Sequence, residues 1–148
     1  MRAYFDHNAT TPLTASVLEA MLPLYSGMFG NASSIHSYGQ EARQALEQAR
    51  RQVASMLGAK PEEVVFTGGG TEANNLALFG LVEPGKTHHF VTTAIEHPAV
   101  LNVFEELRAN GHEVTLVPVG GSGIVDLDDV RRALRPQTRV VSVMAVNN

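Results

Sequence analysis

Three apolar runs constrain this chain more than any other feature: Phe90 to Ala94, Val114 to Val119 and Val140 to Val146. They lack the regular polar/apolar alternation of a strand that wets one face. Stretches with helical spacing lie between them. Strand, helix, strand in that order predicts an α/β fold, with a mostly parallel sheet covered by helices on both faces. The 148 residues suit one domain or a large piece of one.

The helical stretches can be placed from their apolar periods. Thr14 is expected to cap a helix whose apolar face is Val17, Leu18, Met21, Leu22 and Tyr25. The clearest period is Ala42, Ala45, Leu46, Ala49, Val53, Met56 and Leu57, with Gly58 where a C-terminal cap belongs. Thr71-Glu72 opens a helix through about Leu81. Pro98 suits the first turn of a helix with Val100, Val103, Phe104 and Leu107 on its core face. Asp126 caps a last helix, with Asp128 and Asp129 early and Arg131, Arg132 and Arg135 late, which complements the helix dipole. Two shorter strands are expected at Ala3 to Phe5 and Val64 to Phe66. The strand at Val140 to Val146 has no following helix, an unusual end for an α/β domain, so the chain is expected to be a fragment.

Composition removes several classes of function. Hydrophobic residues make up 44% and charged residues 18%, the balance of a globular protein rather than a disordered one. The net charge is −4 and the only lysines are Lys60 and Lys86, so no basic face for nucleic acid is evident. There is no cysteine, which excludes disulfides, thiolate metal sites and a cysteine nucleophile within these residues. No apolar stretch suits a signal peptide or a membrane helix, so a soluble, cytoplasmic protein is expected. His88, His89 and His112 match no metal-ligand spacing and read as structural, and no metal site is expected. Met21 and Met56 read as packing.

Parallel sheets bind ligands past the carboxyl ends of their strands, and three such ends carry suggestive residues. Gly68-Gly69-Gly70-Thr71-Glu72 combines glycines with a helix start, where free N–H groups and the positive dipole end favour an anion. It suits a phosphate, and equally a plain connection capped by Thr71. It is not a P-loop, because no Gly-Lys-Ser/Thr follows. Glu96-His97-Pro98 places an imidazole where it would stack on an aromatic ligand or move protons, or stand exposed at a helix start without a role. Asn147-Asn148 supplies amides for a ligand oxygen, or simply a turn.

Five segments, in order, resemble the cysteine desulfurase family of class V aminotransferase-type pyridoxal-phosphate enzymes. They are Tyr4 to Pro12, Phe29 to His36, Val65 to Leu76, Glu96 to Val100 and Val143 to Asn148. The Ala-Thr-Thr-Pro opening and the Gly-Asn-x-x-Ser-x-His loop look more like desulfurases than other members of that group. The resemblance implies a fold-type-I architecture, with residues 1–13 in the small domain and 14–148 forming the first half of the large cofactor-binding domain. It implies pyridoxal 5'-phosphate as cofactor. Gly70 and Thr71 would hold its phosphate, His97 would stack on its ring and move protons as the catalytic residue, and Asn148 would meet its ring hydroxyl. Asn31 and His36 would border the substrate side. The implied reaction takes sulfur from L-cysteine as a persulfide and leaves L-alanine, serving iron–sulfur cluster or thiolation pathways. A homodimer and a sulfur-acceptor or scaffold protein are the implied partners.

The sequence departs from that pattern in what it lacks. The family's Schiff-base lysine follows a Ser-x-His stretch, and neither Lys60 nor Lys86 has that context; its sulfur-accepting cysteine, its pyridine-nitrogen aspartate and its carboxylate-binding arginine come later in family members, so the chain alone is expected to be inactive. Relatives often carry Ser or Ala within the Gly68-Gly69-Gly70 stretch, and three glycines should loosen the cup without abolishing it. Two other readings are open: a different lyase or transaminase of the same group, or a non-catalytic module that binds a phosphate ligand or a subunit.

Overall fold

Strand β1, His89–Thr93, is the middle of a three-stranded parallel sheet in a computed structural model that describes residues 2–147. Its neighbours are β2, Glu113–Val117, and β3, Thr138–Ser142, in the order β2-β1-β3. Phe90 pairs with Val114 on one side and Val140 on the other. All residues of β1 are buried, whereas β2 and β3 are mixed along their length. A strand closed on both edges and both faces has no water to satisfy its polar side chains, which favours apolar or internally hydrogen-bonded residues.

One side of β1 meets the core. Helix α4, Pro98–Ala109, brings Val100, Val103, Phe104 and Leu107 onto Phe90, and Leu78 completes the cluster. Those positions recur at three- and four-residue steps, so one stripe of the helix is fully covered. Burying Phe104 and Leu107 contributes roughly 2–3 kcal/mol each relative to exposure. Leu78 belongs to helix α3, Gly70–Phe79.

The polar residues of β1 are resolved differently. His89, fully buried, shares hydrogen bonds of 2.8 Å with Thr138 Oγ1 through Nδ1 and with Thr115 Oγ1 through Nε2, so one imidazole ties all three strands together. Thr92 is equally buried, yet among the described residues its hydroxyl has no partner.

The chain divides into two compact units, Met1–Phe66 and Thr67–Asn148, and the sheet lies in the second. The first unit contains helices α1, Ala15–Ser26, and α2, Ser37–Leu57. Gly58 ends α2 in the left-handed region at φ 65°, as a C-terminal glycine cap requires. Gly39 is buried in the first turn of α2, where a Cβ would stand 2.5 Å from Ser34 O. The preceding loop packs directly on the bare helix backbone there. Helix α5, Leu127–Ala133, follows β2, and Asp126 caps it by accepting from the Asp128 N–H at 2.8 Å.

Several expectations are corrected. Ala3 to Phe5 is not a strand; its neighbourhood is a local turn in which Asp6 O accepts from Ala9 and Thr10 N–H groups. Val64 to Phe66 pairs with no strand, because Val64 N–H closes a 3-10 turn on Pro61 O, Val64 O accepts from Arg50, and the Arg50 guanidinium lies 5.1 Å from the Phe66 ring centroid. β3 begins earlier and stops at Ser142 rather than Val146, and Met144 N–H turns to a side chain instead. Thr14 stands at the start of α1 without a side-chain cap bond. The apolar positions assigned to α1 stay largely exposed; instead Leu24 and Met28 line a cleft of about 280 Å³ with Ala42, Ala45, Leu46 and Ala49 of α2. Met56 and Leu57 are exposed, so Met56 is not packing in this unit. Gly69, not Thr71, caps α3, and Arg135 lies beyond α5, where it pairs with Glu113.

Two substitutions test this packing. Thr92→Val removes the unpartnered hydroxyl at constant shape and should raise stability by about 1 kcal/mol, seen as a higher urea midpoint. Gly39→Ala should lower that midpoint by about 1–3 kcal/mol equivalent, because the added methyl has no room.

Candidate functional site

The loops leaving the strands carry the chemistry. β1 runs through Ala94 and Ile95 into Glu96, His97 and then α4. His97 is the N-cap of α4, and its Nδ1 accepts from Ala99 N–H at 3.0 Å. An Nδ1 that accepts must be unprotonated, which assigns the neutral ring's proton to Nε2. The ring is exposed, so one face and Nε2 are available to a ligand.

Glu96 is the residue that local sequence did not single out. It is 6% exposed, and its Oε1 accepts from Thr93 Oγ1 at 3.0 Å and from Met144 N–H at 2.5 Å. The one available signal was a carboxylate directly after a buried strand, where a charge needs a partner. Past β3, the Asn147 side chain donates to Ile95 O at 2.7 Å. Asn148 lies outside the described residues.

The glycine loop opens α3. Ala73 N–H makes the first helical bond, to Gly69 O, so the N–H groups of Gly70, Thr71 and Glu72 precede the ladder. A Cβ built on Gly69 or Gly70 would meet nothing within 4 Å, which leaves open space in front of the loop. Thr71 is exposed and its hydroxyl makes no hydrogen bond among the described residues. Glu72 Oε2 accepts from Gly68 N–H at 2.6 Å, and Thr67 Oγ1 donates to Gly69 O at 3.1 Å. These two bonds shape the loop from inside and consume Gly68 N–H, leaving the N–H groups of Gly70, Thr71 and Glu72 as donors. Thr71 and Ala99 also line one cleft of about 300 Å³ between α3 and α4, with Asn75, Phe79, Asn102 and Glu106. Thr71 and the first turn of α4 thereby border the same cleft.

Asn31 and His36 belong to the first unit. Asn31 Oδ1 accepts from Ser33 N–H at 2.9 Å, an Asx turn. His36 caps α2 through Nδ1, which accepts from Gly39 N–H at 3.4 Å. Both are exposed.

His88, His89 and His112 take part in the packing of the second unit. His88 is buried; its Nε2 accepts from Glu83 N–H at 3.1 Å and its ring stacks on His112 at 5.8 Å. No group of three or more His, Asp or Glu among the described residues could hold a metal. No described helix is long and apolar enough to cross a membrane. Burial holds the His89 pKa below its ordinary 6.5, the Arg135 charge adds to the depression, and Glu113 opposes it.

A parallel sheet with helices on its flanks, a glycine loop opening a helix and an imidazole past the central strand define an α/β protein of the pyridoxal-phosphate fold-type-I large-domain architecture. Residues 3–148 match the aminotransferase class-V family, and the chain belongs to that family. A mitosomal cysteine desulfurase of Encephalitozoon cuniculi (strain GB-M1) is 46% identical over 152 residues, covering 99% of this chain and 35% of the relative. The solved structure of a NifS-like protein is 40% identical with a TM-score of 0.92, over 99% of this chain and 41% of that one. A structure of SspA in complex with cysteine is 40% identical with a TM-score of 0.86, over 97% of this chain and 42% of that one. The chain spans about a third of the length of the curated relatives it matches.

The depressed His89 pKa makes a pH prediction. The unfolded imidazole gains its proton near 6.5 and the folded one only below that, so the stability is present above 6.5 and lost as pH falls through it. The urea midpoint should drop from about pH 7.5 to about pH 5.5, and should drop less steeply in His89→Gln, with the other histidines common to both proteins.

Proposed function

We propose that this chain is the cofactor-holding part of a cysteine desulfurase that uses pyridoxal 5'-phosphate and takes L-cysteine as substrate. The observation that carries it is that Thr71, at the open start of α3, and Ala99, two residues past the exposed His97, border one cleft. The residues fit the group. The space before the glycine loop is open, the N–H groups there point past the helix start, and an exposed neutral ring stands at the next strand end. A relative that is a cysteine desulfurase and a related structure with cysteine bound support this reading.

In this reading Gly70 and Thr71 bind the phosphate with backbone N–H groups and the Thr71 hydroxyl, aided by the α3 dipole. His97 lies against the ring, with Nδ1 kept as an acceptor by Ala99 N–H, so proton exchange runs through Nε2. Asn148 meets the ring hydroxyl, and Asn31 and His36 border the substrate. The bound cofactor supplies an electron sink for carbon–sulfur bond cleavage. The sequence has no cysteine to take the sulfur, and neither Lys60 nor Lys86 follows a Ser-x-His stretch to serve as the Schiff-base lysine, so in this reading the chain alone is inactive. In this reading residues 1–13 belong to a small domain and 14–148 to the large one, in a cytoplasmic homodimer that passes sulfur to an acceptor or scaffold protein for iron–sulfur clusters or thiolation.

Titrating the chain with pyridoxal 5'-phosphate, followed by absorbance, tests the reading. Saturable binding is expected, with competition by inorganic phosphate. Thr71→Ala should weaken it about ten- to a hundredfold, the worth of one hydrogen bond to a charged group. His97→Ala should weaken it without changing the phosphate competition. Absence of binding, or binding indifferent to both substitutions, sinks the proposal.

A further inference from the structure

Glu96 has no role in the reading above, yet its bonds link two segments remote in sequence. Its carboxylate is 6% exposed and its Oε1 bonds both Thr93 Oγ1 and Met144 N–H. The residue before it, Ile95, accepts from the Asn147 amide at 2.7 Å. The residue after it is His97. Pairing between β1 and β3 has already ended at Thr92 and Ser142. Beyond that point these side-chain bonds take over from the backbone ladder and keep the two strand exits together.

The chemistry of the link is specific. A buried carboxylate persists only where donors satisfy it, and charge-assisted bonds are roughly twice as strong as neutral ones. Met144 N–H, half-buried past the end of β3, would otherwise lack an acceptor. The reach is also set. One oxygen spans the Thr93 hydroxyl on its own strand exit and a backbone amide on the other, which the shorter Asp side chain cannot do from the same Cα.

We propose that Glu96 is a positioning residue: it fixes the His97 loop against the Met144–Asn147 segment, so that groups on both strand exits engage one bound cofactor together. This rests on the reading of His97 as a cofactor contact. Glu96 touches no ligand itself and acts through the loop that carries His97.

The test compares the parent chain with Glu96→Ala, Glu96→Gln, Glu96→Asp and Leu107→Val. The last is a core change at the far end of α4 that softens the unit without touching the strand exits. Two quantities are read: hydrogen exchange of Met144 N–H, and the dissociation constant for pyridoxal 5'-phosphate. Glu96→Ala should speed Met144 exchange and weaken binding about tenfold, while Glu96→Gln, whose amide oxygen still accepts, should stay within about threefold of the parent. Glu96→Asp should resemble Ala despite keeping its charge, and it decides the matter if the Ala variant does not fold. Leu107→Val should lower the urea midpoint with affinity unchanged. Parent-like affinity in folded Glu96→Ala or Glu96→Asp overturns the inference, as does an equal loss in Leu107→Val. If His97→Ala weakens binding and the Glu96 variants do not, only the positioning role fails. If the parent chain does not bind the cofactor, the reading under test above fails and takes the coupling with it.

Discussion

Burial of β1 on both edges and both faces is the constraint from which the second unit follows. A strand in that position cannot leave a polar group to water. Phe90 therefore goes to the α3–α4 core, and His89 finds a hydroxyl on each neighbouring strand. Its two bonds do more than satisfy the ring. They set β2 and β3 at a common level across the sheet, beside the bulge where the β1–β3 register shifts between His89 and Phe90. With the strands level at their start, their exits also come together at one end.

That shared exit is where the chemistry collects. Parallel strands all point their carboxyl ends the same way, so the loops after β1 and β3 meet without special design. The Glu96 and Asn147 bonds turn this proximity into fixed geometry. The glycine loop differs in kind. It is shaped by its own residues, Thr67 and Glu72, and offers backbone groups rather than side chains. A site of this sort divides labour between a rigid imidazole on a capped helix and a bare backbone that can approach an anion closely.

Much of this was legible in the order of residues. The parallel α/β class, the α4 core face at Val100, Val103, Phe104 and Leu107, the glycine cap at Gly58 and the Asp126 cap all followed from local spacing, and all stand. The misreadings share a cause. Val64 to Phe66 has strand-like composition, but its backbone groups are claimed by Pro61 and Arg50. The periodic face of α1 is real, but period reports which residues share a side and not whether anything covers it. Glu96 drew no reading of its own from the sequence, because its partner Met144 stands 48 positions away.

By itself the sequence determined the class of fold, the placement of most helices and the family, because these depend on period, on caps and on motifs short enough to read locally. Only the tertiary structure decided that His89 is a three-strand tie and that Glu96 is buried and bridging. Those outcomes depend on which distant groups are brought within hydrogen-bond reach, and the interior leaves no water to substitute for a missing partner.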